Sequence, residues 1–363
     1  THGEFASARE SDAMLAEAHV ALADFLGTSD PDLVAFGPNM TTLTLGLSRA
    51  LSRTWTPGDE IIVTRLDHDA NVWPWVRAAE DVGAQVRFLE INPEDCTLRL
   101  DHLSSLLSPR TKHVSLGAAS NAVGTINPIR EISEMAHRVG ASVFVDAVHY
   151  APHGLIDVEA WGCDFLACSA YKFFGPHVGV LWGRRSWMES LDAYRVRPAG
   201  NATPDRWMTG TQNHEGIAGA SEAVDYLADL GRDISEAPDL GRREALKAAF
   251  EAIERHESRL CQRLIRALEA IRGIKVLGIT DPERAHERCP TLSIVHDTLT
   301  PMTIAKHLAS KGIFVWEGNF YALELSQTLG LEPEGMVRIG LLHYNTEAEV
   351  DRLIEALTML VGP

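Results

Sequence analysis

The sequence predicts an α/β protein: a large domain on a mostly parallel sheet sandwiched by helices, then a smaller C-terminal α+β domain. Three observations carry that prediction. From Leu33 to Trp182, short apolar runs alternate with amphipathic helical patterns, the rhythm of a sheet covered on both faces. Several runs, Glu60–Thr64 (EIIVT) first among them, show no polar alternation, as strands buried on two sides do not. Beyond Leu240 the rhythm changes to a long polar-faced helix and then short mixed elements over roughly 120 residues, a typical domain size. The 363 residues agree with about two domains at roughly 150 residues each. The expected division is 1–238 and 239–363.

Taken in chain order, Met14–Leu26 reads as an amphipathic helix stopped by Gly27. Leu33–Phe36 is a short strand, and a Gly-Pro turn leads to a helix from Leu43 to Trp55 that opens on Thr41 and Thr42. Strand Glu60–Thr64, helix Trp73–Val82 and strand Gln85–Leu89 follow, with Pro74 tolerated in the first helical turn. Next come helix Leu100–Leu107, strand His113–Leu116, helix Ile129–Arg138 and strands Ser142–Asp146, Phe165–Cys168 and Val178–Trp182. The long helix covers Leu240 to Ile271. The small domain is expected to hold strands Ile274–Leu277, Thr291–Val295, Ile313–Trp316 and Val337–Leu341, a helix near Met302–Lys311 and a last helix Thr346–Leu360.

Charge excludes whole classes of partner. With 33 Lys and Arg against 50 Asp and Glu, the net charge is −17. That argues against nucleic acid and against an anionic membrane, while leaving room for a local pocket that takes a small anion. Five scattered cysteines (Cys96, Cys163, Cys168, Cys261, Cys289) form no CxxC pair. Neither a zinc knuckle nor a redox dithiol is expected, and no metal site is assigned. Unpaired thiols suit a reducing cytoplasm. No stretch approaches the ~20 apolar residues of a spanning helix. The first residues lack the basic-then-apolar pattern of a signal peptide.

The chemistry-bearing residues sit at strand ends. Lys172 follows an apolar strand, lies among aromatics and precedes Gly175-Pro176. That strand delivers it to the rim of the sheet, where open α/β folds bind ligands. A desolvated lysine amine there can form a Schiff base with an aldehyde, although a lone lysine at such a place is more often a surface residue. Asp146 closes the buried run Val143-Phe144-Val145. A carboxylate so placed needs a cation, and the protonated pyridine nitrogen of pyridoxal phosphate is one; a helix cap is the plainer reading. Thr41 and Thr42 offer hydroxyls and backbone N–H groups to a phosphate, or simply cap their helix. His68, after its strand, can stack on a ring face or sit solvated in a loop.

These residues stand within a set of motifs: Gly37–Thr42, Leu66-Asp67-His68-Asp69-Ala70-Asn71, Ser120–Thr125, Val145–His149, Ser169–Gly175, Thr209–Asn213 and Val337–Gly340. In that order they resemble the class V aminotransferase family of fold-type I pyridoxal-phosphate enzymes, in its cysteine-desulfurase-like branch, over nearly the whole chain. The resemblance implies pyridoxal 5′-phosphate as cofactor and Lys172 as the Schiff-base lysine and proton mover. Asp146 is implied as partner of the pyridine nitrogen, and His68 as the histidine stacked on the ring. Asn121 and His149 fall where the family meets the ring O3′, His149 standing where many desulfurases have glutamine. Thr41, Thr42 and Ser169 match phosphate contacts. Thr211 matches a phosphate contact lent by the second subunit of a homodimer. Arg338 matches the arginine that clamps a substrate α-carboxylate, a bidentate task suited to a planar guanidinium. The resemblance also implies a segment upstream of Thr1 that helps to cover the substrate, and brings His2 toward the site.

One departure bears on the reaction. Desulfurases of this branch carry a nucleophilic cysteine on a small-domain loop. The matching stretch here is Trp316-Glu317-Gly318-Asn319-Phe320-Tyr321-Ala322, with Tyr321 at or beside the cysteine position and Asn319 close to it. A phenol cannot accept a sulfur atom as a persulfide. Trp316, Phe320 and Tyr321 read either as an aromatic wall of the substrate pocket or as small-domain core. The resemblance therefore implies a desulfurase-like lyase that acts on an amino acid, a small-molecule substrate, by β-elimination at Cβ–S or another Cβ–X bond. Class V aminotransferase and amino-acid epimerase are the alternatives. A cofactor-binding protein without turnover would be expected to have lost one of Lys172, Asp146, His68 or Arg338.

Overall fold

The computed structural model describes residues 3–362; His2 lies outside them. Helix α1 (Ala6–Leu26) ends at Gly27, whose left-handed backbone (φ 76°) is a common helix stop. Strand β1 (Val34–Gly37) leads to α2 (Met40–Ser52). The rest of the large sheet comes from β2 (Glu60–Thr64), β3 (Gln85–Leu89), β4 (Thr111–Gly117), β5 (Ser142–Asp146), β6 (Phe165–Ser169) and β7 (Gly179–Gly183). Between them run α3 (Trp73–Val82), α4 (Leu100–Leu106), α5 (Ile129–His137) and α6 (Val158–Trp161); α7 (Arg185–Ser190) follows β7. The strand order is β1-β7-β6-β5-β4-β2-β3. The β3-β2-β4-β5-β6 series is parallel, and β7 runs antiparallel to both of its neighbours. Strands β2, β5, β6 and β7 are buried along their whole length, as their unalternating sequences require.

Helix α8 (His214–Ile234) is the one long element that the sequence pattern does not announce. Gly216, Gly219 and Gly231 dilute its helical signal. Tertiary packing overrides that propensity, because α8 lies against α1 and against α9 (Arg242–Ala270). Gly231 is needed at the second contact: a Cβ built there would stand 1.8 Å from the Ala245 carbonyl oxygen. Gly231→Ala is therefore expected to cost about 1–3 kcal/mol, read as a lower urea midpoint. A midpoint at or above that of the wild type would contradict the close approach.

A second, antiparallel sheet has the order β10-β11-β9-β8, from β8 (Ile274–Leu277), β9 (Thr291–His296), β10 (Trp316–Gly318) and β11 (Met336–Gly340). Helices α10 (Pro301–Ser310), α11 (Leu323–Thr328) and α12 (Glu347–Val361) complete this part. The expected strand over Ile313–Trp316 is shifted. Only Trp316–Gly318 finds ladder partners, opposite Met336–Arg338, and Phe314 is 92% exposed. Two hydrophobic cores result, and α9 serves both. Its Leu246, Phe250 and Ile253 pack under the large sheet, while Leu260, Leu264 and Leu268 pack under the small one. Among the described residues, no helix is long and apolar enough to cross a membrane.

Candidate active site

Strands β4, β5 and β6 end side by side at Gly117, Asp146 and Ser169, and the N-terminus of α2 faces them. A cavity of about 750 Å³ opens at this rim. A slightly larger one, about 810 Å³, lies between α9 and the segment before β9, but no lysine lines it. The rim cavity gathers Lys172, Asp146, His68, Thr41, Thr42, Asn121, His149, Ser169, Arg338 and Tyr321. Ten positions spread from 41 to 338 thus converge on one space.

Helix α2 begins at Met40, three residues before its expected start, because Asn39 is the cap. The Asn39 side-chain oxygen accepts from the Thr42 N–H at 2.9 Å and from the Thr42 hydroxyl at 3.0 Å. Thr41 and Thr42 therefore stand exposed in the first turn rather than ahead of it. The Ser169 hydroxyl accepts the Met40 N–H at 2.9 Å, tying β6 to the same helix end. Gly179 makes room for this joint, since a Cβ there would lie 2.5 Å from the Asn39 carbonyl carbon. The result is a small set of hydroxyls and N–H groups at a helix N-terminus, a standard anion seat.

Lys172 sits in the short helical turn after β6, half-buried. Burial and then the Arg338 charge lower its pKa, while Asp146 opposes them. Asp146 is 8% exposed and receives the Val148 N–H at 2.9 Å. Burial raises its pKa to about 6. Asp67 lies in the same wall, where it accepts the Gly117 N–H and the Asn71 amide, each at 2.9 Å. Burial, and then the charge of Asp146, raises its pKa to about 7. His68 accepts the Ala70 N–H through Nδ1 at 3.0 Å. Burial, followed by the charges of Lys172 and Arg338, lowers its pKa to about 4, so the ring is neutral near pH 7. Burial also holds His149 well below the usual histidine range, and its Nε2 meets the Thr291 hydroxyl at 2.9 Å.

The small sheet supplies the opposite wall. Arg338 on β11 donates to the Asn121 carbonyl at 2.9 Å and lies 4.3 Å over the Phe320 ring. No carboxylate pairs with it among the described residues, so its planar end is available. The Asn121 amide donates to the Phe320 carbonyl at 2.9 Å, and its own oxygen is buried without a partner. Tyr321 stacks on His68, with ring centres 5.4 Å apart. Its carbonyl accepts the Asp69 N–H at 2.6 Å.

Two expected site residues lie elsewhere. Asn319 does not line the cavity, because its amide is committed to Glu332 at 2.9 Å and its oxygen to the Tyr321 N–H at 3.1 Å. It holds the loop rather than the ligand space. Thr211 is exposed and away from the cavity of its own chain. Conversely, Asn39, Asp67, Tyr171 and His177 line the cavity without having been singled out. An acid next to Leu66, just past a buried strand, is the same signal that marks Asp146 and could have found Asp67. All five cysteines are buried, and none lines this cavity.

The profile of the family described as aminotransferase class-V matches residues 4–249 and 240–353. An aminotransferase-like protein of Gibberella zeae is 32% identical, over 98% of this chain and 85% of its own. A probable cysteine desulfurase of Halalkalibacterium halodurans is 31% identical, over 83% of this chain and 70% of its own. The crystal structure of an Escherichia coli cysteine desulfurase superposes with a TM-score of 0.84 at 26% identity, over 100% of this chain and 88% of its own. The apo cysteine desulfurase of Thermococcus onnurineus shares the fold, with a TM-score of 0.87 at 24% identity, over 99% and 86% of the two chains.

Proposed function

The chain belongs to the aminotransferase class-V family and is a pyridoxal 5′-phosphate-dependent enzyme, and we propose that it is an amino-acid β-elimination lyase that works without a persulfide cysteine. The observation that carries this reading is the make-up of the cavity. Lys172, Asp146 and Arg338 converge there and no thiol does; the resemblance matches the Tyr321 loop to the one on which a desulfurase carries its nucleophile.

The residues fit the cofactor. Asp146 presents a buried carboxylate with a single hydrogen bond, Asn121 carries an orphaned buried oxygen, and the α2 N-terminus offers a phosphate seat across the cavity from them. In this reading Asp146 holds the pyridine nitrogen, Thr41, Thr42 and Ser169 hold the phosphate, His68 lies against the ring, and Asn121 and His149 lie by O3′. When bound, the cofactor supplies the electron sink that makes a substrate Cα–H acidic. Lys172 anchors it, then accepts the Cα proton and passes it on, a task eased by an amine pKa lowered through burial and Arg338. Arg338 clamps the substrate carboxylate. Loss of a group from Cβ then completes the elimination.

The aminotransferase reading stays second, favoured by the name of the Gibberella zeae relative. Thr211, exposed and away from its own cavity, is taken to reach the phosphate of a second copy in a homodimer. Five unpaired buried thiols accord with a reducing cytoplasm. A panel of amino acids, scored for keto acid, ammonia and sulfide, tests the reaction. Pyruvate and ammonia from a β-substituted alanine are expected. Keto acid formed only with an amino acceptor would make the enzyme a transaminase, and loss of Cα deuterium alone would make it an epimerase.

A further inference from the structure

We propose that the substrate side chain carries an aromatic ring, so that the preferred substrate is a β-substituted alanine with an aryl-bearing substituent. This rests on the reading of the cavity as an amino-acid site and specifies what that site selects.

The two sides of the cavity differ in kind. The sheet side holds the carboxyls, the lysine and the helix end. Four exposed rings mark the mouth: Tyr171, His177, Trp316 and Tyr321. They are not core. Trp316 is 72% and Tyr321 73% exposed, and neither belongs to either hydrophobic cluster. The rings form an arranged surface. Tyr171 and His177 stack 5.0 Å apart at 14°, and His68 and Tyr321 stack 5.4 Å apart at 24°.

Charge narrows the choice further. Among the described residues, the only formally charged side chain on the cavity wall apart from Asp67, Asp146 and Lys172 is Arg338. In the proposed mechanism that guanidinium takes the α-carboxylate. A charged substrate side chain would trade part of its water for rings that offer no counter-charge, which is unfavourable. A small aliphatic one would leave the rings unmatched. An aromatic one gains both burial and the stacking preference of paired π faces.

The backbone holds this surface in place. Phe320 (φ 56°) and Tyr321 (φ 59°) are consecutive non-glycine residues in the left-handed region, a conformation that costs of order 1–3 kcal/mol each and persists only where its surroundings impose it. Here they do so through three hydrogen bonds. Asp69 N–H donates to the Tyr321 carbonyl, Asn121 to the Phe320 carbonyl, and the Tyr321 N–H to Asn319. This backbone leaves the Tyr321 ring exposed at the mouth, while the Phe320 ring leans on the large core beneath Arg338.

The test compares three probes on the cofactor-loaded enzyme: S-benzyl-, S-methyl- and S-carboxymethyl-L-cysteine. Binding is read from the visible spectrum and from quenching of tryptophan fluorescence, and turnover from released thiol and pyruvate. In that turnover the Cβ–S bond breaks, the thiolate leaves with its electron pair and takes a proton, and water releases ammonia and pyruvate from the remaining three-carbon unit. S-benzyl-cysteine is expected to bind about tenfold more tightly than S-methyl-cysteine, with the carboxymethyl compound weakest. Tyr321→Ala should cost the benzyl compound at least fivefold more affinity than the methyl compound, and Tyr321→Phe should keep the preference. Equal affinities for benzyl and methyl probes, or a preference for the charged one, overturn the proposal while leaving the amino-acid site intact. If none of the three perturbs the enzyme and no amino acid in the wider panel does so, the underlying reading fails instead.

Discussion

Lys172→Ala protein, purified with pyridoxal phosphate present, is expected to lack the visible band near ~420 nm that a lysine-bound cofactor carries. It should turn over amino acids at least about 10³-fold more slowly than the wild type. The reason is local. Among the described residues, Lys172 is the only lysine on the cavity wall, and it faces both Asp146 and Arg338. Lys172→Arg separates charge from chemistry, since it keeps a cation but cannot bond covalently to an aldehyde. It should behave like the alanine variant. The half-buried position in a short turn makes either change tolerable to the fold, which circular dichroism would confirm. A band and a rate that survive both substitutions would remove Lys172 from the reaction.

The second large effect is on stability and has a definite sign. Asp67 ionises near 3.8 in an unfolded chain and near about 7 when buried beside Asp146. Between those values the folded chain holds a proton that the unfolded chain has lost. Stability of the cofactor-free protein therefore falls as pH rises from about 4 to about 7, by up to about 4 kcal/mol from this group. Asp146, raised to about 6, adds a contribution of the same sign. Asp67→Asn removes the first of these and relieves the second. The unfolding free energy of the variant relative to the wild type should thus rise by about 2–3 kcal/mol between pH 5 and pH 8. Urea titrations at the two pH values measure it. The offset at pH 5 carries a separate cost, because an asparagine cannot accept from both the Gly117 N–H and the Asn71 amide without rearrangement. A difference that does not change with pH would place the Asp67 carboxyl in an ordinary environment.

Much of this site was legible because its residues announce themselves by context. Asp146 and Lys172 each follow an apolar run that can only be a buried strand, so their exits to the rim were readable, as were β2, α3, β3, β5 and β8 with their bounds unchanged. The long α9 was visible from its length. What stayed hidden depends on partners distant in the chain. Helix α8 needs the α9 backbone to explain its glycines. The start of α2 is set by Asn39, whose capping role shows only once Thr42 is seen to donate to it. The bounds of strand β10 follow from its register on β11, with Trp316–Gly318 opposite Met336–Arg338. The placement of Asn319 follows from Glu332, thirteen residues on, a pairing no local pattern contains.

The segment from Trp316 to Tyr321 contributes no side chain to the small core, and only Phe320 leans on the large one. Gly318 (φ 118°) and Asn319 hold the loop, but folding places few demands on the exposed side chains of Trp316 and Tyr321, whereas Lys172 and Asp146 are fixed by the strands that carry them. Divergence can proceed at the mouth while the interior stays constant. Descendants of one ancestral scaffold could exchange a thiol for a phenol, or one ring for another, without crossing an unfolded intermediate. A library randomised at Trp316 and Tyr321 should consequently yield a high fraction of soluble, cofactor-loaded proteins with altered preferences.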